Sequence, residues 1–205
     1  DLLMRAGLAS CRARVRLSMT GGSGSLLDRS SGSDRVIWML ASRIAADPDS
    51  ISAEFATFPR NEKSPLVGLK CASYAENLLA LDRAQRRGFD ESLFFNTSGH
   101  LCEFATGNVF LVSNQRLLTP SLDTGCLPGV ARAVVIRLAS AAGMECSELH
   151  LRRADLDSAD EVFLTSALRG PLAVKRIENR EMPVQLITNQ LRRQWKDAVF
   201  EQNAL

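Results

Sequence analysis

The sequence predicts an α+β protein, and three observations carry that expectation. Apolar residues recur at helical spacing over 74–87, where Leu78, Leu79, Leu81 and Ala84 mark one face, over 130–142 and over 185–200. Short runs at 92–96, 101–103, 109–112 and 161–165 read as strands, and the turn Thr97-Ser98-Gly99 implies antiparallel pairing of the first two. Glycines close the helices at Gly88 and Gly143, and Pro128-Gly129 opens the second one.

The first 58 residues read as a smaller α+β unit. Leu2, Leu3, Ala6 and Ala9 follow helical spacing, after which Ala13, Val15 and Leu17 alternate with Arg14, Arg16 and Ser18 as a half-buried strand does. Residues 20–33 are rich in Gly and Ser and read as a loop, and the unbroken apolar run at 36–40 is typical of a buried strand. Another strand is expected over 52–58. Two prolines and a glycine within 59–70 mark a connector with fixed turns, so the expected division is 1–58, a connector at 59–69, and a larger domain over 70–205. The chain opens inside an apolar helical pattern with no cap before it, and further residues are expected upstream.

Composition narrows the function classes. Across 205 residues, 25 Lys and Arg balance 23 Asp and Glu, and a net charge of +2 makes no case for a nucleic-acid or basic membrane surface. Small molecules and other subunits are the expected partners. Five scattered cysteines form no CxxC or Cys/His cluster, which argues against a disulfide framework or a zinc site and fits a reducing cytoplasm. No apolar run approaches the roughly 20 residues of a membrane-spanning helix, and the N-terminus has no signal-peptide pattern. His100 and His150 have neither metal-ligand spacing nor a triad partner, and read as exposed loop histidines. The Gly/Ser stretches lack the lysine of a phosphate-binding P-loop.

Four motifs follow one another in order. RNEKSPLVGLKCASYAENLLA places Lys70 after an Asn, a Pro-Leu and a Gly and just before a helix; CEFATGNVFLV carries a Glu, four residues, then Asn, an aliphatic and Phe; LPGVAR and DEVFLTSAL complete the set. Together, from about Val15 onward, they resemble the class IV aminotransferases, the fold type IV enzymes of pyridoxal 5′-phosphate (PLP). The branches most similar are the branched-chain and D-amino-acid aminotransferases and 4-amino-4-deoxychorismate lyase. The resemblance implies a small N-terminal α/β domain, here apparently truncated, beside a larger domain with a β-barrel-like core and flanking helices, assembled as a homodimer.

It also implies roles. Lys70 would bond the cofactor and then act as general base, because an amine attacks an aldehyde only when unprotonated and a desolvated lysine reaches that state readily. Glu103 would keep the ring nitrogen protonated, as an electron sink requires. Gly129, Val130 and Ala131 would meet the phosphate at a helix start, where unpaired amides and the macrodipole favour an anion. Ser166 and Ala167 would add a hydroxyl and an amide, Leu127 would pack on the ring, and Tyr74 would bond its phenolic oxygen. Plainer readings stand beside these: a solvated lysine, an edge-strand carboxylate, an ordinary helix cap, and a tyrosine used in packing.

Three departures limit the carry-over. The family's phosphate-gripping arginine lies upstream of Asp1, Gly21 stands where many members have an arginine, and Gly107 replaces the glutamate of typical branched-chain enzymes. The resemblance therefore implies a PLP-dependent amino-acid aminotransferase, with the lyase as its alternative on the same cofactor site, favoured by Gly107 and the Ser166-Ala167-Leu168 triplet. A non-catalytic or truncated member is the third reading. Trp38, Phe94 and Phe95 are the apolar candidates for a dimer surface.

Overall fold

A strand buried on both faces reads as a continuous apolar run, and the strands at 91–95, 108–113 and 161–166 come closest to that kind. The computed structural model describes residues 1–21, 35–182 and 185–200, so most of the Gly/Ser loop expected over 20–33 lies outside the described residues. Contacts divide the chain into two compact units, Asp1–Asp47 and Pro48–Leu205.

In the first unit, α1 (Leu2–Arg5) is a single turn, and β1 (Ala13–Thr20) pairs antiparallel with β2 (Val36–Arg43), Ala13 opposite Arg43 and Thr20 opposite Val36. An ion pair of 2.6 Å joins Arg12 to Asp47. The strand at 36–40 forms as expected, but it is exposed rather than buried, with Trp38 at 44%. Val15 and Leu17 are exposed as well. Among the described residues of this unit, two strands and one helical turn leave no layer to cover either face.

The second unit runs β3 (Ser50–Phe55), α2 (Ala75–Arg86), β4 (Glu91–Phe95), β5 (Leu101–Phe104), β6 (Asn108–Ser113), β7 (Arg116–Pro120), α3 (Val130–Ala141), β8 (Cys146–Leu149), α4 (Arg153–Ser158), β9 (Glu161–Ser166), β10 (Gly170–Ile177), β11 (Arg180–Glu181) and α5 (Leu186–Phe200). Strands β10, β3, β4, β5 and β6 are neighbours in that order, and β9 pairs with both β6 and β10. Six strands thereby close into a barrel-like ring. Strands β7 and β8 extend from β6, and β11 from β10.

The period-2 alternation of side chains sorts the core into shells. Ile51, Leu93, Leu101, Val109, Leu164 and Leu172, one from each strand of the ring, belong to one buried cluster that fills the barrel. Their neighbours point the other way: Phe110 and Phe163 stack at 4.9 Å between ring centroids and pack against Val135 of α3 and Leu191 and Trp195 of α5. Phe94 and Cys102 meet Ala80 of α2. Phe94 is fully buried and Phe95 packs partly buried against the barrel cluster, so neither presents a dimer surface.

Helix α5 is docked by one carboxylate. Buried Glu161 accepts the backbone N–H of Ile187 and Thr188 at 2.9 and 2.8 Å and the Thr188 hydroxyl at 2.7 Å, satisfying first-turn donors that have no partner within the helix. At the start of β10, Gly170 has φ +60°, and a Cβ there would come within 2.5 Å of the Trp195 ring. Gly170→Ala therefore combines backbone strain with overpacking and should destabilise the chain by about 2 kcal/mol. A drop in the urea midpoint at unchanged slope checks it; an unchanged midpoint would show that α5 yields freely.

Candidate active site

The segment before α2 is short of regular structure and is held by its ends. Arg60 pairs with Asn96 as an isolated parallel bridge, and Glu62 accepts the Thr97 amide, the Thr97 hydroxyl and the Ser98 hydroxyl at 3.0, 2.7 and 2.6 Å. These bonds favour the charged form and hold the Glu62 carboxyl down to about 2. From there the chain turns through Ser64, Val67 and Leu69 to reach Lys70.

Lys70, Tyr74, Glu103 and Leu127 line one cavity of about 260 Å³. Lys70 is exposed at its mouth. Tyr74 is the residue before α2, and its hydroxyl donates to the Ala105 carbonyl, which also accepts from Asn77 at 2.8 Å. Burial raises the Tyr74 phenol, and the charges of Glu103 and Glu91 add to the effect.

Glu103 stands opposite Asn108 where β5 turns into β6. Directly opposed residues of an antiparallel pair share a face, and these two grip the same residue: the Leu127 N–H donates to Glu103 at 2.9 Å, and Asn108 donates to the Leu127 carbonyl at 2.7 Å. Burial pushes the Glu103 carboxyl above its ordinary range, while the Leu127 amide, Arg60 and Lys70 pull it back.

Gly129 caps α3 two residues beyond Leu127, and a Cβ on it would collide with the Asn108 amide oxygen. Val130 at the helix start is 78% exposed, and Ala131 is buried. Ser166 ends β9 and Ala167 follows it; Thr165 just before them lies opposite Asn108. Gly129, Val130, Ala131, Ser166 and Ala167 do not line the cavity; Gly129 abuts Asn108, which does.

Sequence reasoning missed several polar residues of this region. Arg60 and Asn77 line the cavity, as does Thr106, whose hydroxyl donates to the buried Glu91. Arg60 and Asn77 fall inside the first quoted motif, which gives neither of them a role, and Asn108 figures only as part of the second. His100 and His150 are not isolated: their rings stack at 4.7 Å, and His150 lies 2.8 Å from Asp123.

The Amino-transferase class IV family model matches residues 1–177. The chain belongs to the class IV aminotransferase family. Among curated class IV relatives, a probable branched-chain-amino-acid aminotransferase of Synechocystis is 34% identical over 133 residues, covering 64% of this chain and 44% of that protein. A crystal structure from Legionella pneumophila, provisionally named a 4-amino-4-deoxychorismate lyase, superposes with a TM-score of 0.87 at 27% identity, over 95% of this chain and 72% of that one. The branched-chain aminotransferase of Thermobaculum terrenum, solved in its PLP form, gives 0.80 at 27% identity, over 93% and 65%. The chain spans about half the length of the curated relatives it first matches. No helix among the described residues is long and apolar enough to cross a membrane.

Burial lifts the Glu91 carboxyl from 4.5 to about 7. Glu91 thus holds its proton more tightly folded than unfolded, so its contribution to stability is whole below pH 4.5 and is lost as pH rises through about 7. The loss should amount to roughly 3 kcal/mol. Urea midpoints at pH 5 and pH 8 should differ accordingly, and Glu91→Gln should abolish this part of the difference; a variant with the wild-type pH dependence would refute the assignment.

Proposed function

We propose that this chain carries the cofactor site of a PLP-dependent amino-acid aminotransferase, with Lys70 as its cofactor lysine. The observation that carries the reading is one cavity holding an exposed amine, a buried carboxylate and a phenol, within a class IV chain. The donor set fits the cofactor. Lys70 would take its aldehyde, Glu103 its protonated ring nitrogen, Tyr74 its phenolic oxygen, and Leu127 would pack on its ring. Gly129, Val130 and Ala131, opening a 12-residue helix, would meet the phosphate together with Ser166 and Ala167.

When bound, PLP supplies a carbonyl for amine capture and a ring that accepts electron density. The chain's own contribution is proton handling and orientation. Lys70 Nζ would take the proton from the substrate Cα and deliver it to the cofactor carbon C4′. Glu103 would supply the negative charge for the ring nitrogen, and the Leu127 amide, 2.9 Å away, would hold that carboxylate in place. Asn108 fixes the approach to α3 through the Leu127 carbonyl.

A lyase acting on 4-amino-4-deoxychorismate is the second reading, favoured by the Legionella likeness and by Gly107. Pyruvate release from that compound, scored against 2-oxo acid exchange with amino acids, separates the two. The proposal extends to a cytoplasmic homodimer, supported by five unpaired cysteines and by the exposed apolar residues of β2. Light scattering that shows a stable, active monomer would refute the dimer.

Borohydride treatment of the PLP-incubated chain should fix the cofactor to the peptide containing Lys70. Lys70→Ala should abolish both this label and turnover with the fold intact, whereas Glu103→Gln should retain PLP and slow turnover by roughly 100-fold or more, a loss on the scale of removing a key electrostatic partner. Turnover in Lys70→Ala, or label on another lysine, would sink the assignment of Lys70; joint loss of PLP and rate in Glu103→Gln would make Glu103 structural.

A further inference from the structure

Arg60 begins the segment that leads to Lys70, and its side chain is only 13% exposed. Its Nη1 lies 3.3 Å from Glu76 Oε2, and its Nη2 lies 2.9 Å from Asn77 Oδ1 and 3.4 Å from Glu103 Oε1. The guanidinium carbon stands 4.5 Å from the centroid of the Phe94 ring, a geometry in which the ring face attracts the cation. The other oxygen of Glu103 is taken by the Leu127 N–H.

We propose that Arg60 is a positioning residue of this site: held over Phe94 and shared between Glu76 and Glu103, its guanidinium keeps Glu103 an ionised carboxylate with Oε1 turned toward it. The inference rests on reading Glu103 as the partner of the cofactor's ring nitrogen, a role that needs a carboxylate and not a neutral acid. Burial opposes that charge, and two cations support it, Arg60 and Lys70. Lys70 gives up its positive charge whenever its amine acts as nucleophile or base. Arginine keeps its charge at every working pH, so Arg60 is the cation that persists.

The remaining titratable groups facing Glu103 are Tyr74, Cys102 and Cys126. Burial raises all three, so none carries a charge near neutrality that would replace Arg60. Glu76 competes for the same guanidinium from α2, but its side chain is 64% exposed and its charge is correspondingly screened.

The test is a carboxyl titration by NMR on the full chain stripped of cofactor and labelled with ¹³C at the glutamate carboxyl, with the Glu103 signal assigned by its loss in Glu103→Gln. In Arg60→Met the Glu103 midpoint should rise by about one pH unit or more, a tenfold gain in proton affinity. Arg60→Gln, which retains an amide donor toward Asn77, should show the same rise and serves if the Met variant does not fold. An unmoved midpoint in either folded variant overturns the proposal. The wild-type chain gives an independent reading: the Arg60 Nη signals should shift at the Glu103 midpoint and lose that response in Glu103→Gln, and unrelated midpoints would also overturn it. No bound cofactor is needed, so failure here counts against Arg60 alone. Failure of the borohydride label counts against the cofactor reading and leaves the titration interpretable.

Discussion

The candidate site depends on the double grip of Glu103 and Asn108 on Leu127. A single register, Glu103 opposite Asn108, brings an acceptor and a donor to the same face, and they take the amide and the carbonyl of one residue. Each bond is worth only about 1 kcal/mol net, but breaking one would leave a buried group unpaired at a larger cost. The grip fixes where the chain enters α3, and through Gly129 it fixes how closely that entry approaches Asn108. Cavity wall and helix start are therefore set by the same hairpin.

A second theme is charge held where water is scarce. Glu103, Glu91 and Tyr74 all resist ionisation because they are buried, and the site answers with hydrogen bonds and with Arg60. Glu91 receives a hydroxyl from Thr106 and an amide from Ser92, less than a carboxylate in that position would need, and it holds its proton up to neutrality. Both also feel an arginine, Arg169 near Glu91 and Arg60 against Glu103 at 3.4 Å. Burial raises both carboxyls, on adjacent strands, and their partners oppose it by different routes.

Much of this was legible in the residues. Helices α2, α3 and α5 show their periodicity, and β4, β6 and β9 are apolar enough to stand out because both of their faces are buried. Strand β10 did not, since Gly170-Pro171 reads as a turn although the chain begins a strand there. Helix α4 is six residues long, too short for a helical period to register. At the site, Lys70, Tyr74, Glu103 and Leu127 are far apart in sequence and the motifs tied them together. Arg60 opens the first of those motifs but takes no role from it: after a proline, in a polar connector, it looks like a solvated charge. What distinguishes it is contact with Glu103, 43 residues away. The buried expectation for 36–40 failed for a related reason, because an apolar run reports a preference and not the presence of a layer to satisfy it.

Gly107 leaves no space for a side chain: a Cβ would approach the Thr165 carbonyl oxygen to 2.5 Å and the Leu164 side chain to 3.0 Å. Thr165 and Leu164 lie in β9, the strand that closes the barrel against β6 and β10. Gly107, a lining residue of the cavity, is thus tied to the seam of the barrel. Any side chain at 107 would have to displace the Thr165 carbonyl, and with it the closing strand. A glycine at the cavity wall thereby sets how tightly the barrel can close, so the site and the seam cannot vary independently at this position.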